Sequence, residues 1–113
     1  IEKQDDMYGW VYLLKDESNV TYKIGVTRTD VEKRIKRLQT GNSTELLLIH
    51  KYFCEYPFRT ESILHNKFRH RKELNEWFRL EPEEVERFDE TCKEVDDFIH
   101  EMLDNPFFAK NLH

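Results

Sequence analysis

Apolar positions along this chain come in short runs separated by turn-forming residues, and each run has a readable period. Val11 to Leu14 read as a short apolar strand, Asp16-Glu17-Ser18-Asn19 as a turn, and Thr21 to Val26 as a second strand. A hairpin symmetric about that turn sets Tyr12 directly opposite Lys23, on one face. Thr29-x-x-Glu32 has the form of a capping box. It predicts a helix from Asp30 to about Thr40 that ends near Gly41, with Val31, Ile35 and Leu38 as its buried stripe. Arg34 then lies about 60° from the centre of the stripe, at ~100° per residue, and borders the core.

After the polar loop Gly41-Asn42-Ser43-Thr44, the β-prone segment Leu46 to Cys54 predicts a central strand. Pro57 suits the first turn of a helix running to about Arg71, with Leu64 and Phe68 inward and Glu61 one turn before His65 on the same side. Asn75-Glu76-Trp77-Phe78-Arg79-Leu80 predicts a small strand or turn packed on the core. Glu76 reads there first as a residue that fixes the turn or pairs with a base, and second as a catalytic or metal-adjacent group. Glu83 to Asp104 predicts one long acidic helix with Val85, Phe88, Cys92, Val95 and Ile99 as its core stripe. The expected fold is a small α/β (α+β) domain, with a three-stranded, mainly antiparallel sheet flanked by helices and a long C-terminal helix. Residues 1–7 form an N-terminal extension, 8–80 the core, and 81–113 the acidic helix packing on it.

A length of 113 residues allows one core and no more. No apolar run approaches the ~20 residues of a membrane span. The chain begins at Ile1 with its first Met at Met7, which reads as a piece of a longer protein with further domains. Cys54 and Cys92 make no CxxC pair and read as free thiols in a reducing, intracellular compartment. The net charge of -5 speaks against nucleic acid until its distribution is considered. Residues 1–72 carry a net +4 and residues 73–113 a net -9, so a basic front and an acidic tail share one domain.

Tyr12, Lys23 and Arg34 follow one another at intervals of eleven residues. That layout can bring a phenol, an ammonium and a guanidinium to one place, and such a place suits a phosphodiester. The half-motifs stand as Gly9-Trp10-Val11-Tyr12 and Tyr22-Lys23-Ile24-Gly25, followed by the helix with Arg34, then Glu61-x-x-x-His65, then Glu76-Trp77-Phe78. In order and spacing the sequence resembles the GIY-YIG nuclease superfamily over about residues 8 to 80. It is most similar to the branch of phages and large DNA viruses that writes its motifs G-x-V-Y and Y-K-I-G.

The resemblance implies metal-dependent hydrolysis of a DNA phosphodiester, one strand at a time, leaving a 5′-phosphate. The family tyrosine falls on Tyr12, the second-motif tyrosine on Lys23, the arginine on Arg34 and the metal-binding glutamate on Glu61. Lysine at the second position departs from the literal motif, although some restriction enzymes of the superfamily carry it. Leu38 stands where some members have a histidine, and His65 is the candidate to supply similar help. The family's late asparagine has only Asn75 as a candidate. The chemistry asks for the same residue types. A lone carboxylate, Glu61, suits Mg²⁺ or Mn²⁺, which neutralises charge and stabilises the leaving oxygen. Arg34 can clamp a non-bridging oxygen. Tyr12 can take a proton from water if Lys23 favours its phenolate; of the two residues that can be the base, Tyr12 is the favoured one. Arg28, Lys33, Arg37, Lys67 and Arg71 are the expected DNA contacts, while the run Lys67 to Lys72 reads equally well as a solvated helix face. Two other functions stay open: a nucleic-acid-binding module of the same fold without cleavage, and a protein–protein adaptor using the acidic helix.

Overall fold

The alternation of Val11 and Leu13 with Tyr12 and Leu14 sends the first strand's side chains to two different cores, and the whole domain is arranged around that strand. The structure, a computed structural model, describes residues 8–105. The predicted extension 1–7 and residues 106–113 of the predicted tail lie outside the described residues. Strand β1 (Gly9–Asp16) pairs antiparallel with β2 (Thr21–Thr27) and with β3 (Leu46–Cys54). Two short strands, β4 (Lys72–Leu74) and β5 (Trp77–Phe78), extend the sheet beyond β2. The order is β3-β1-β2-β5-β4, five strands where the sequence predicted three. β3 lies at an edge, contrary to its predicted central place. Its apolar run is only partly buried, while β1 is central and nearly fully enclosed.

The hairpin register also differs from the prediction. A loop of four residues, Glu17 to Val20, joins the strands, so Tyr12 faces Gly25 and Lys23 faces Leu14. The Asp16 carboxylate organises this loop by accepting from the Ser18 amide (2.9 Å) and the Asn19 side chain (2.9 Å). Val20 closes it with a φ of 53°. The shift is two residues, an even number, so Tyr12 and Lys23 keep their common face although they are not opposed.

Behind the sheet, Val11, Leu13 and Ile24 meet Leu64 and Phe68 from the α2 segment (α2, Pro57–Lys67) and Phe88, Cys92, Val95 and Ile99 from α4 (Phe88–Asp104). In front, Tyr12 and Leu14 meet Val31, with Ile35 and Leu38 alongside, from α1 (Val31–Thr40). Asp30, not Thr29, caps α1, and its carboxylate accepts from the amides of Glu32 (2.8 Å) and Lys33 (3.2 Å). Helix α2 stops at Lys67 and a 3-10 turn covers Arg69–Arg71, short of the predicted helix end. The predicted long acidic helix is two helices, α3 (Pro82–Glu86) and α4, broken at Arg87. The break lets Phe88 enter the core, and His50 Nε2 lies 2.9 Å from the Val85 carbonyl beside it. Cys54 and Cys92 are both free and buried. Among the described residues no helix is long and apolar enough to cross a membrane.

Candidate active site at the edge of β2

Tyr12 sits in the front core with 1% of its surface exposed, its ring laid across Gly25. A Cβ at Gly25 would come within 2.7 Å of the ring's Cε1, so only glycine allows this approach. From α1, Arg34 hydrogen-bonds the phenol oxygen. Burial pushes the Tyr12 phenol above its ordinary value; the hydrogen bond and charge of Arg34 oppose that shift, and the carboxylates of Glu76 and Glu61 add to it. Arg34, rather than the predicted Lys23, is therefore the cation that favours the phenolate. Arg34 Nε itself is buried with no acceptor among the described residues.

Lys23 is turned elsewhere. Its ammonium lies 3.3 Å from a Glu76 carboxylate oxygen and 5.9 Å from the centre of the Trp77 ring, with 14% of the side chain exposed. Glu76 reaches this place because β4 and β5 are joined by a tight turn in which Asn75 adopts a φ of 55°. Asn75, the candidate for the late asparagine, is exposed and serves this turn.

Strand β5 pairs with β2 only at Tyr22 and Lys23, and the Glu76 carbonyl accepts from the Ile24 amide at 3.4 Å. The Ile24 carbonyl is met by His65 Nε2 at 2.8 Å. Donation from Nε2 to that carbonyl leaves the other ring nitrogen with a lone pair. Glu61 lies one turn earlier on the same face of α2. The ligand atoms of Glu61, His65 and Glu76 all lie within 4.8 Å of one another. Burial pushes the Glu61 carboxyl above its ordinary value; His65 and Lys23 counter the shift and the nearby Glu76 carboxylate reinforces it. Two like-charged groups held this close to an imidazole favour a cation between them. Two carboxylates and one imidazole suit Mg²⁺ or Mn²⁺, and the imidazole favours Mn²⁺.

The T5orf172 domain model matches residues 9–96, most of the chain. The chain belongs to the T5orf172 domain family. That family is associated with nuclease-like domains. No curated protein and no solved structure matches this chain.

The T5orf172 match takes in every residue expected at the site, and the structure brings Tyr12, Lys23, Arg34, Glu61 and His65 into one connected group. Glu76 fits both of its sequence readings. It pairs with a base, as one reading had it, and it also stands with Glu61 and His65. An acid just before the apolar pair Trp77-Phe78 was the available signal, but its meaning depends on β5 reaching β2. The expected DNA contacts divide. Lys33 and Arg37 are exposed on α1, and the Arg28 guanidinium lies over the Phe58 ring at 4.9 Å. Lys67 is exposed beside Glu83, Glu84 and Glu94 behind the sheet. Arg71 faces Glu84 at 3.2 Å and Glu81 at 3.7 Å, so acids of the tail take up its charge. An apolar cavity of about 540 Å³, lined by Phe58, Ile63, Phe98 and Met102, lies apart from the site group.

Proposed function

We propose that this T5orf172 domain is a metal-dependent DNA endonuclease of GIY-YIG type that hydrolyses phosphodiester bonds. The observation that carries the reading is the meeting of Glu61, His65 and Glu76 at the open edge of β2, next to the Lys23 ammonium and the Tyr12–Arg34 pair. Glu61, Glu76 and the free nitrogen of His65 are the residues that would hold Mg²⁺ or Mn²⁺. Such a cation supplies charge neutralisation at the phosphate and stabilisation of the leaving oxygen.

The chain's own residues do the rest. Arg34, half-buried beside the Tyr12 phenol, brings a guanidinium to the place where negative charge grows on a non-bridging phosphate oxygen in the transition state. Lys23 is engaged by Glu76 and holds that carboxylate in place. This leaves Tyr12 as the better proton acceptor for the attacking water. Only its phenolate can accept, and Arg34 works toward that form against burial. Lys33 and Arg37 supply positive charge on the exposed side of α1.

Burial of Tyr12 favours a second reading, a DNA-binding domain without cleavage. Supercoiled plasmid separates the two. Wild-type protein with Mn²⁺ should convert it to the nicked form, chelation should stop the conversion, and Glu61→Ala should abolish it while DNA retention and thermal unfolding stay close to wild type. Retention without nicking by the wild type would leave the binding module standing, and equal nicking by Glu61→Ala would remove Glu61 from the site.

A further inference from the structure

Next to the site, on the same face of the sheet, is a group of aromatic rings that the cleavage chemistry does not use. Tyr8 and Phe53 stack nearly parallel, with centroids 5.4 Å apart and planes 13° apart. They are 57% and 52% exposed, among the most exposed large apolar side chains of the described chain. Trp10 tilts against Phe53 at 4.9 Å, and the Lys51 ammonium lies 4.8 Å from the centre of the Trp10 ring. The register ties this group to Tyr12. Trp10 pairs with Phe53 across β1 and β3, and Tyr12 pairs with Lys51 in the same ladder. Trp10 is two residues from Tyr12, about 6.6 Å along the strand on the same face.

Cross-strand packing accounts for Trp10 against Phe53, since aromatic pairs support sheet edges. It does not account for Tyr8. That residue precedes β1, pairs with no strand residue, and still lies flat on Phe53 with its surface open. Positive charge stands on this face of the domain: Lys51 lies over Trp10, and α1, which packs on the same face, carries the exposed Lys33, Lys36 and Arg37. Glu32, 3.4 Å from Lys51, ties the first turn of α1 to the group.

We infer that Tyr8 and Phe53 form a stacking shelf for an unpaired base of the DNA strand whose phosphate lies at the Tyr12–Glu61 site. This rests on the nuclease reading and names its substrate class: DNA with a single-stranded segment, such as an overhang, flap or gap. A duplex keeps its base faces covered by their neighbours. A base outside the stack presents its π face to a flat aromatic pair, while the cations of α1 and Lys51 meet its phosphates. Stacking tolerates any base, so the shelf selects strand pairing and not sequence.

The experiment measures binding in chelator, so it does not depend on cleavage. Dye-labelled duplexes, blunt or with a short unpaired overhang, are titrated with the protein at low salt and followed by anisotropy. The wild type should bind the overhang about tenfold more tightly than the blunt duplex. Tyr8→Ala and Phe53→Ala should each lose most of that preference, with blunt-duplex affinity changed less than about twofold, and Phe53→Trp should keep it. Tyr8 lies outside the strands, so Tyr8→Ala reads the shelf even if Phe53→Ala disturbs β3. Equal affinity of the wild type for the two duplexes, or a preference untouched by Tyr8→Ala and Phe53→Trp alike with no loss in Phe53→Ala, overturns the shelf. A preference that depends on the shelf in a protein that never nicks plasmid would sustain the shelf and defeat the nuclease reading.

Discussion

The polar groups behind the sheet and those at the edge of β2 are treated very differently. Behind the sheet most of them pair singly, with Asp96 Oδ1 the buried oxygen that accepts no hydrogen bond among the described residues. Tyr52 donates to Asp96 at 3.1 Å, and His100 sits between the Asp96 carbonyl at 2.9 Å and the Glu55 carboxylate at 3.1 Å. His50 meets the Val85 carbonyl. These contacts close the seams where α3 and α4 cover β3. At the edge of β2, two carboxylates crowd one imidazole, a lysine serves only one of them, and a buried guanidinium nitrogen lacks an acceptor among the described residues. Behind the sheet a lone oxygen of Asp96 goes without a hydrogen bond among the described residues, whereas at the β2 edge the mismatch gathers two carboxylates, an imidazole and a guanidinium nitrogen in one place. The mismatch has a reason if an anion and a cation are the missing partners.

The comparison breaks most decisively at Phe88. This ring is fully buried among Leu13, Cys92 and their neighbours. Phe88→Ala should cost about 3–5 kcal/mol of stability, read from the urea midpoint, while nicking per folded molecule stays near wild type. Arg34→Ala should do the reverse. Loss of its donor should lower nicking by ~10²-fold, about 2.7 kcal/mol in the transition state, with little change in the urea midpoint. A rate near wild type in Arg34→Ala would mean that its guanidinium serves no phosphate.

Gly25 lies where the two concerns overlap. A Cβ there would invade the Tyr12 ring, so Gly25→Ala should lose about 1–3 kcal/mol and also slow nicking as the phenol is displaced. A variant that keeps both stability and rate would show that the ring has room to move and that its contact with Gly25 does not position it.

Much of this was visible in local pattern. The hairpin strands, α1 and the residues Tyr12, Lys23, Arg34 and Glu61 all stand on short periodic segments, where side-chain direction follows from spacing. The register did not, because the loop depends on the Asp16 carboxylate and on Val20 at positive φ, a conformation that a branched residue rarely signals. β3 misled for a similar reason: apolar residues announce a strand but not its neighbours. Glu76 is the residue whose metal-adjacent place was the second reading and not the first. Its place comes from a two-residue strand pairing with β2 across more than fifty residues of sequence, and no local period encodes such a contact. The break at Arg87 escaped because the stripe through Val85 and Phe88 suits one helix as well as two.

The smallest effect tests the matched side by pH. His100 has its protonated form favoured first by the Asp96 carbonyl and then by Glu55, against a small opposing effect of burial, so its folded value lies above the ordinary one. A group raised on folding stabilises fully below its unfolded value, about 6.5, and that contribution fades as pH rises through the folded value. The ring is 43% exposed, so solvent screens it and the loss is shallow. Between about pH 5.5 and pH 8 the wild-type urea midpoint should fall slightly more than that of His100→Gln. The difference isolates His100 from His50, which faces Asp89 at 3.3 Å and is present in both proteins. Parallel profiles would show that His100 closes the seam as a neutral hydrogen-bonding ring. The matching of charges behind the sheet would then be geometric only, and the contrast with the β2 edge would rest on Tyr52 and Asp96.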